Sequence, residues 1–494
     1  MKGVFVMHTP CWGDLGNGYY RNPVLNADYS DPDVVRVGKD FYMICSEFHY
    51  MGMPVLHSRD LVNWSIIGKV YDRLEMAPHY NDMTGYAKGS WAPSITYHDG
   101  WFYVYFCTPT EGLFMTRTQN PAGPWEPLHC VYATAGWEDP CPFWDADGQA
   151  YLGHSVLGAG PIIIHRLSAD GRRLLDDGKV VYVGKIAEGT KIYHSHGYYL
   201  LVIPEGGVAK GWQTVLRSKN IYGPYERKVV LQTGKTDING PHQGSLIETE
   251  SGESWFLHFQ DVGTLGRVVH LQPVEWVDNW PMMGVDGEPV EIWRKPNTGF
   301  SQEPSLPQTS DDFSGETLSL QWAFNHNPVD SHWSLKERPG ALRLHSLPAE
   351  DLFSAPNTLT QKLMGTSGQI TLLLDLSGMA SGQRAGLALL GGRKENYIQV
   401  VNRQGRCYLE AVTDAVVSHG PEVAGQILLR CDVALAANTR FSFSMDGVRY
   451  LPLGSNCALA NGFWKGVRPA LFSYHTHGEG GVADFLQFTY DVLE

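Results

Sequence analysis

Five short segments of this chain open on residues that can do chemistry. They are three carboxylates, an indole and an imidazole: Asp31, Trp91, Asp139, Glu188 and His242. Cleaving a glycosidic bond needs one protonated carboxyl to donate to the leaving oxygen, and an ionised one to activate water or attack carbon. A third carboxylate can orient the acid and keep its pKa high by like-charge repulsion. These residue types therefore indicate a sugar-cleaving site.

The spacing of the five segments indicates how they meet. Each opens an apolar run, and a glycine turn and an aromatic strand follow; the turn glycines are Gly38, Gly100, Gly148, Gly197 and Gly252. Repetition at roughly 50 residues is typical of a propeller with four strands per blade. The first strand of each blade lines the axis of such a wheel, so the five opening residues are expected to converge there.

The sequence predicts an all-β chain of two domains. Residues 1–296 hold the five units and predict a five-bladed β-propeller. Residues 297–310 are rich in Pro, Ser and Gln and predict a linker. From residue 311 to 494 short alternating segments are broken by turns about every 10 residues, which predicts a β-sandwich.

Composition excludes some functions. The 494 residues include 38 Lys and Arg against 52 Asp and Glu, a net charge of −14, and no basic stripe that would bind nucleic acid. No apolar run reaches about 18 residues, so no membrane span is expected. The apolar run in Met1–His8 is too short for a signal-peptide core, which predicts a cytoplasmic protein, or a secreted one if a leader was removed. The eight cysteines form no CxxC pair, which favours free thiols.

Together, the segment openings resemble glycoside hydrolase family 43, of the α-L-arabinofuranosidase and β-xylosidase type with a C-terminal, concanavalin-like β-sandwich. The resemblance covers the whole predicted propeller. The motifs that carry it are Asn22-Pro23-Val24-Leu25, Ser30-Asp31-Pro32-Asp33, Trp91-Ala92-Pro93, Glu138-Asp139-Pro140, Ala187-Glu188-Gly189, Gly240-Pro241-His242-Gln243-Gly244 and Leu265-Gly266-Arg267.

This resemblance implies a role for each carboxylate. Asp31 would be the general base that activates water, and Glu188 the general acid. Asp139 would orient Glu188 and raise its pKa. Because the family inverts the anomeric configuration, the base and the acid should lie roughly 6.5–9.5 Å apart, leaving room for a water.

Four further residues are candidates for substrate binding. The resemblance implies that Phe48 and Trp91 form apolar walls of the first sugar subsite, and that Arg267 reaches the sugar or the neighbourhood of the base. His242 would lie at the bottom of the axis, where family members often hold a water-bridged calcium or other cation. The residues alone also allow a blade-core Trp91, a hydrogen-bonded core His242 and an Arg267 paired with Asp261.

Two positions depart from the family pattern. Thr190-Lys191 stand where many relatives have Pro-His or a similar pair, and Ser94 stands where an acidic residue is frequent. Neither position is one of the three carboxylates. We therefore expect both departures to affect contacts near the pocket rather than catalysis.

The residues and the resemblance together predict an exo-acting hydrolase that removes single non-reducing pentoses from hemicellulose or pectin-derived oligosaccharides. The leading substrate is an α-L-arabinofuranoside; the alternatives are a β-1,4-xylosidase, a bifunctional enzyme and, more remotely, a binding protein without catalysis. The expected partners are arabino- or xylo-oligosaccharides, without nucleic acid or membrane, and a homo-oligomer is allowed. No cofactor is required, although the resemblance allows a structural calcium ion, and the sandwich could itself bind carbohydrate.

Overall fold

The computed structural model describes residues 11–392, 394–436 and 438–493, so the start of the chain, Met1–His8, lies outside the described residues. Nearly all regular structure in these ranges is strand. The helices there are three 3-10 turns, Pro78–Tyr80, Gly263–Leu265 and Asp330–His332. None of the described helices is long and apolar enough to cross a membrane. The predicted all-β class is confirmed.

Two short strands, β1 (Gly13–Asp14) and β2 (Tyr19–Arg21), precede five antiparallel four-stranded sheets. Each sheet is built from consecutive strands and is one blade of a propeller. The blades are, in order, β3 (Asp33–Val37), β4 (Asp40–Ile44), β5 (Pro54–Ser58) and β6 (Ser65–Lys69); β7 (Trp91–His98), β8 (Trp101–Thr108), β9 (Gly112–Thr118) and β10 (His129–Ala133); β11 (Trp137–Trp144), β12 (Ala150–Val156), β13 (Ile162–Leu167) and β14 (Lys179–Tyr182); β15 (Lys191–Ser195), β16 (Tyr198–Glu205), β17 (Trp212–Ser218) and β18 (Glu226–Gln232); β19 (His242–Glu248), β20 (Ser254–Asp261), β21 (Arg267–Val277) and β22 (Trp280–Met283).

Aromatic and β-branched residues build the blade interiors. β8 reads Trp-Phe-Tyr-Val-Tyr-Phe-Cys-Thr and is buried along nearly its whole length, on both faces. Such side chains suit a pleated surface covered on both sides. The face-to-face packing of neighbouring blades provides that environment, which explains the high aromatic content.

The predicted blade repeat is confirmed at the turns. All five glycines singled out above lie between the first and second strands of their blades, with φ between +61° and +83°. A residue with a Cβ is disfavoured there, so glycine marks each turn. The first strands of neighbouring blades contact one another, as β3 does β7 and β19. These strands surround the axis.

Irregular backbone redirects the residues that open the blades. The register of the first strand shifts between Trp91 and Ser94 in blade 2, and between His242 and Gly244 in blade 5. A similar shift follows Glu138 in blade 3. A β-bulge bends a strand and re-aims a side chain. Here the bulges let neighbouring residues both face the axis.

The two ends of the propeller meet in a separate small sheet. β23 (Ile292–Arg294) pairs with β2, which pairs with β1. The Asn22 amide also donates to the carbonyls of Leu271 and Val290, both at 2.8 Å, and accepts the Leu271 N–H. This small sheet therefore joins the two ends of the propeller, and each of the five described blades consists of consecutive strands.

The rest of the described chain forms two packed antiparallel sheets, as predicted. One has the order β24-β28-β37-β30-β31-β32-β33, with β27 added in parallel to β37; the other has the order β25-β26-β38-β29-β34-β35-β36. The strands are β24 (Ala323–Phe324), β25 (Trp333–Ser334), β26 (Leu342–His345), β27 (Leu347–Pro348), β28 (Leu359–Thr360), β29 (Ser367–Asp375), β30 (Gln383–Gly391), β31 (Lys394–Arg403), β32 (Arg406–Thr413), β33 (Val416–Val423), β34 (Gln426–Ala434), β35 (Arg440–Ser444), β36 (Leu451–Pro452), β37 (Arg468–His475) and β38 (Val482–Val492).

Residues 297–310, the predicted linker, contain no strand. They pack on the first blade: the Gln308 side chain bonds to both the N–H and the carbonyl of Ile66, and Ser305 N–H donates to Asn63. The domain limits at residues 296 and 311 stay a prediction. The segment between them is held along its length.

A buried ionic cluster joins the sandwich to the first blade. Glu47 accepts hydrogen bonds from Lys362 and Arg468, both from the sandwich, and all three side chains are at most 9% exposed. Burial favours the neutral acid, but Arg468 and Lys362 outweigh it, so the pKa of Glu47 lies below its usual value. The domain interface therefore contains paired charges as well as apolar contacts.

Removing the charge of Glu47 is expected to destabilise the whole chain. Glu47→Gln leaves two buried cations without a carboxylate, which costs roughly 3–5 kcal/mol. The control Glu250→Gln breaks a pair with Lys39 that is 60% exposed on both sides, and should change stability by about 1 kcal/mol or less. Equilibrium urea unfolding measures both. Equal, small effects would contradict the role given to the cluster.

Candidate active site

Asp31 is buried at the axis between two donors. Its Oδ2 accepts from Ser46 Oγ at 2.6 Å, and its Oδ1 accepts from Arg267 Nη1 at 2.8 Å. Ser46 Oγ also accepts the Ala92 N–H of blade 2. Both oxygens of this carboxyl therefore accept hydrogen bonds, one of them from a charged donor. Such an aspartate suits a base or a nucleophile better than an acid.

Asp139 is tied directly to the segment of Glu188. Its Oδ2 accepts from Ser155 Oγ at 3.0 Å and from the Gly189 N–H at 2.7 Å. Its Oδ1 accepts from Gln243 Nε2 at 3.1 Å. Because Gly189 follows Glu188 in the chain, Asp139 fixes the backbone that presents Glu188.

Three carboxyl groups lie together at this point. Glu138, Asp139 and Glu188 each place an oxygen within 4.8 Å of the others. Burial and then the charge of Glu188 raise the pKa of Asp139 to about 6. Burial and then the charge of Asp139 raise the pKa of Glu138 to about 8. The cluster therefore retains a proton at neutral pH.

Glu188 is the most exposed member of this cluster, with a side chain 19% exposed. Burial pushes its pKa up, but the adjacent His242 imidazole, together with Arg267, lowers it overall. This differs from the expectation that Asp139 raises the pKa of Glu188. The like-charge repulsion raises the pKa values of Asp139 and Glu138 instead.

The proton on Glu138 has a measurable consequence for stability. An acid whose pKa is raised on folding stabilises the fold fully below its unfolded pKa, and this stability is lost as pH rises to the folded value. For Glu138 that window runs from 4.5 to about 8. Glu138→Gln keeps the acceptor for the Ala159 N–H and cannot ionise.

We therefore expect Glu138→Gln to be more stable than wild type at pH 9, by roughly 2–4 kcal/mol, and equally stable or less stable at pH 4.5. Urea unfolding at the two pH values checks this. A difference that does not change with pH would show that Glu138 carries no shifted proton.

His242 lies against the acid. Its Nε2 is 3.0 Å from Glu188 Oε1, but the direction is poor, and neither ring nitrogen makes a well-aligned hydrogen bond. The imidazole is 2% exposed and packs on Phe259 at 5.1 Å between ring centres. Open nitrogens in a buried imidazole suit a water-bridged cation, so calcium at His242 stays a prediction.

Arg267 pairs with Asp31, not with Asp261, so it lies in the neighbourhood of the proposed base, and a contact with the sugar stays a prediction. Its guanidinium carbon lies 4.6 Å from the centre of the Phe259 ring and 5.2 Å from that of Trp464. Arg267 is 6% exposed. A planar cation between two aromatic faces is held in orientation as well as in place.

The two predicted apolar walls contact each other. The rings of Phe48 and Trp91 lie edge to face with centres 6.1 Å apart. The indole N–H of Trp91 donates to the Ala87 carbonyl at 2.8 Å. Trp91 stays partly exposed, whereas Phe48 is 5% exposed. The indole therefore offers a fixed face to a ligand.

The sandwich contributes to the site through residues 461–466. Trp464 covers Arg267, and the buried ammonium of Lys465 lies 2.6 Å from His49 Nδ1. Gly466 N–H donates to Asp28 at 3.1 Å.

Sequence reasoning missed four residues of the site: Ser46, Glu138, Ser155 and Gln243. A signal was present for the two serines. Each serine lies at or just after the end of the second strand of its blade and donates to the aspartate that opens the same blade. A search for polar residues at matching positions of the second strands would have identified both serines. Gln243 and Glu138 lie next to β-bulges, and the spacing of residues in the sequence does not show where a bulge occurs.

This fold and this site define a glycoside hydrolase. The sequence model of "Glycosyl hydrolases family 43" matches residues 20–281, and that of "Beta xylosidase C-terminal Concanavalin A-like domain" matches residues 310–491. The chain belongs to glycoside hydrolase family 43 and carries the concanavalin-like accessory domain.

Individual proteins agree with this assignment. A putative beta-xylosidase of Xylanibacter ruminicola is 50% identical over 469 residues, covering 93% of this chain and 87% of its own. A non-reducing end alpha-L-arabinofuranosidase of Bacteroides ovatus is 29% identical over 521 residues, covering 97% of this chain and 96% of its own. The crystal structure of the GH43 protein BlXynB from Bacillus licheniformis superposes with a TM-score of 0.85 at 27% identity, covering 96% of this chain and 100% of that one.

Proposed function

We propose that this enzyme releases single β-D-xylose residues from the non-reducing ends of xylo-oligosaccharides, with α-L-arabinofuranosides as weaker substrates. The observation that carries the sugar is the 50% identity with a protein named a putative beta-xylosidase, against 29% with an arabinofuranosidase. The two sugars present similar hydroxyl geometry, so one pocket can accept both. This reverses the order of sugars that the sequence alone favoured.

The proposed reaction is an inverting hydrolysis. Asp31, which accepts hydrogen bonds from Arg267 and Ser46, takes a proton from the water that attacks the anomeric carbon. Glu188, the most exposed carboxyl of the cluster, gives a proton to the leaving oxygen, and it takes that proton from the cluster, in which the pKa of Glu138 is raised to about 8. Asp139 orients Glu188 through Gly189.

The sandwich supports exo action. Trp464 lies on Arg267, which itself bonds to the base, so the accessory domain reaches to within one side chain of the reacting centre. A wall at that distance leaves space for a chain end and obstructs a chain that continues in both directions. An open cleft for internal cleavage would lack it.

Hydrolysis of paired p-nitrophenyl β-D-xylopyranoside and α-L-arabinofuranoside tests the proposal. We expect a higher kcat/KM for the xyloside, and proton NMR of early product should show α-xylose from the β-xyloside. A higher value for the arabinofuranoside would restore that sugar as the main substrate. Early β-xylose would show retention and overturn the role of Asp31 as base.

Trp464 gives a further prediction. Trp464→Ala removes the stacking on Arg267, worth about 0.5–2 kcal/mol, so kcat/KM on xylobiose should fall about 3- to 30-fold. Trp464→Phe keeps an aromatic face and should retain most activity. Steady-state kinetics on xylobiose measures both. Equal losses in the two variants would mean that the indole acts through something other than its face.

A further inference from the structure

A buried ion pair lies on the propeller axis, one layer beyond the catalytic carboxylates. The side chain of Lys191 is 4% exposed, and its Nζ lies 3.2 Å from Asp33 Oδ2. The same ammonium donates to Ser94 Oγ at 2.8 Å and lies 3.3 Å from the Pro93 carbonyl. None of the catalytic steps above uses this cation.

The pair belongs to a ring of polar contacts that links all five blades. Asp33 Oδ2 accepts the Ile95 N–H of blade 2 at 2.7 Å, and its Oδ1 accepts the Ser245 hydroxyl of blade 5. The Ser94 hydroxyl donates to the Pro140 carbonyl of blade 3. With Lys191 from blade 4, every first strand is joined at one level of the axis.

Each charged member of this ring lies close to a catalytic residue in the chain. Asp33 follows Asp31 by two residues, and Lys191 follows Glu188 by three. Such short segments of ordered backbone transmit a displacement at one end almost fully to the other. The contact between Lys191 and Asp33 therefore links the segment of the base to the segment of the acid.

Stability alone is a weak reason for this arrangement. Taking two opposite charges out of water costs about as much as their attraction returns, and apolar replacements of buried pairs are often neutral or stabilising. What a buried pair does provide is one defined geometry. Here that geometry affects the distance between Asp31 and Glu188, which must act together.

A cavity of the propeller includes the pair in its lining. It has a volume of about 440 Å³, and Asp33, Ser94 and Lys191 are among its lining residues. Tyr97, also in its lining, is 41% exposed, so this cavity is accessible from solvent. Its lining contains none of Asp31, Asp139 and Glu188, so a small cation that enters this cavity approaches the ammonium without passing the catalytic carboxylates.

We propose that Lys191, through Asp33, is a positioning residue that sets the separation between Asp31 and Glu188, and that its ammonium fills a cation site open to small primary alkylammonium ions when the lysine is shortened. The positioning part rests on the proposed roles of Asp31 and Glu188. The cation site does not depend on those roles.

The test is chemical rescue of Lys191→Ala. A displacement of about 1 Å between catalytic groups can cost 10²-fold, so kcat on the aryl xyloside should fall about 10²-fold while KM changes less than about threefold. Propylammonium chloride matches the atoms removed and should restore kcat at least about tenfold. Potassium chloride and tetramethylammonium chloride at equal ionic strength should not.

Two further variants separate positioning from damage to the fold. Lys191→Met keeps the side-chain volume without the charge, so its kcat should fall similarly, and propylammonium should not rescue it. Lys295→Ala removes another lysine paired with two carboxylates, Asp14 and Asp60, away from the axis. It should keep its kcat and should not respond to the amine.

The melting temperature gives a readout that does not need activity. Propylammonium should raise it for Lys191→Ala and leave it unchanged for Lys191→Met. Near-wild-type kcat in Lys191→Met, or a Lys191→Ala protein that responds to the amine in neither kcat nor melting temperature, would overturn the proposal. If wild type cleaves neither aryl glycoside, the proposed function fails, and the melting temperatures still decide the cation site.

Discussion

Replacing Asp31 with alanine is expected to lower kcat about 10³- to 10⁴-fold on every pentoside, whatever its leaving group. The reason is that water must be deprotonated for attack in each case, and Asp31 is the proposed base, which Arg267 and Ser46 hold in place by hydrogen bonds. Steady-state kinetics on xylobiose and on an aryl xyloside measure the loss.

Asp261→Ala is the matched control for this experiment. Asp261 was the other acid considered for Arg267, yet its carboxylate accepts from the Gly263 N–H instead. It should keep most of the wild-type activity. Residual activity of Asp31→Ala above about one tenth of wild type on either substrate would remove Asp31 as the base.

Replacing Glu188 with alanine is expected to separate the two kinds of substrate. On xylobiose the leaving sugar needs a proton, so kcat/KM should fall about 10³-fold or more. A dinitrophenyl xyloside has a leaving group that departs as an anion, so its loss should stay within about tenfold. The ratio of the two losses is the measurement.

Asp31→Ala serves as the comparison, because it should lose activity on both substrates equally. If Glu188→Ala also loses both equally, Glu188 is not the acid. Asp139 and Glu138 would then be the remaining candidate proton donors of the carboxyl cluster, although both are less exposed than Glu188.

The features that the sequence predicts are those that recur at the same position in each blade. The phase of the blades brings Asp31, Asp139, Glu188 and His242 to one axis, and the contacts of these residues agree with that convergence. The turn glycines follow in the same way, since each occupies one position of a repeated turn.

Other features depend on contacts between distant segments, which the spacing of residues in the sequence does not predict. Trp464 meets Arg267 across the domain interface, which depends on how two β-domains pack. The lowered pKa of Glu188 depends on His242 lying 3.0 Å away, whereas the motif alone suggested an effect of Asp139. The partner of Arg267 was left open between two acids because only the fold determines which is near.

The ionic cluster of Glu47, Lys362 and Arg468 also bears on the history of this protein. Accessory modules that move between genes are joined by tethers and carry water-compatible surfaces on every side. Here a propeller inherited without its sandwich would lose both counterions of Glu47, and the sandwich would lose the carboxylate that pairs Lys362 and Arg468. Recombination at the 297–310 segment is therefore expected to yield unstable halves, so that selection passes the two on together.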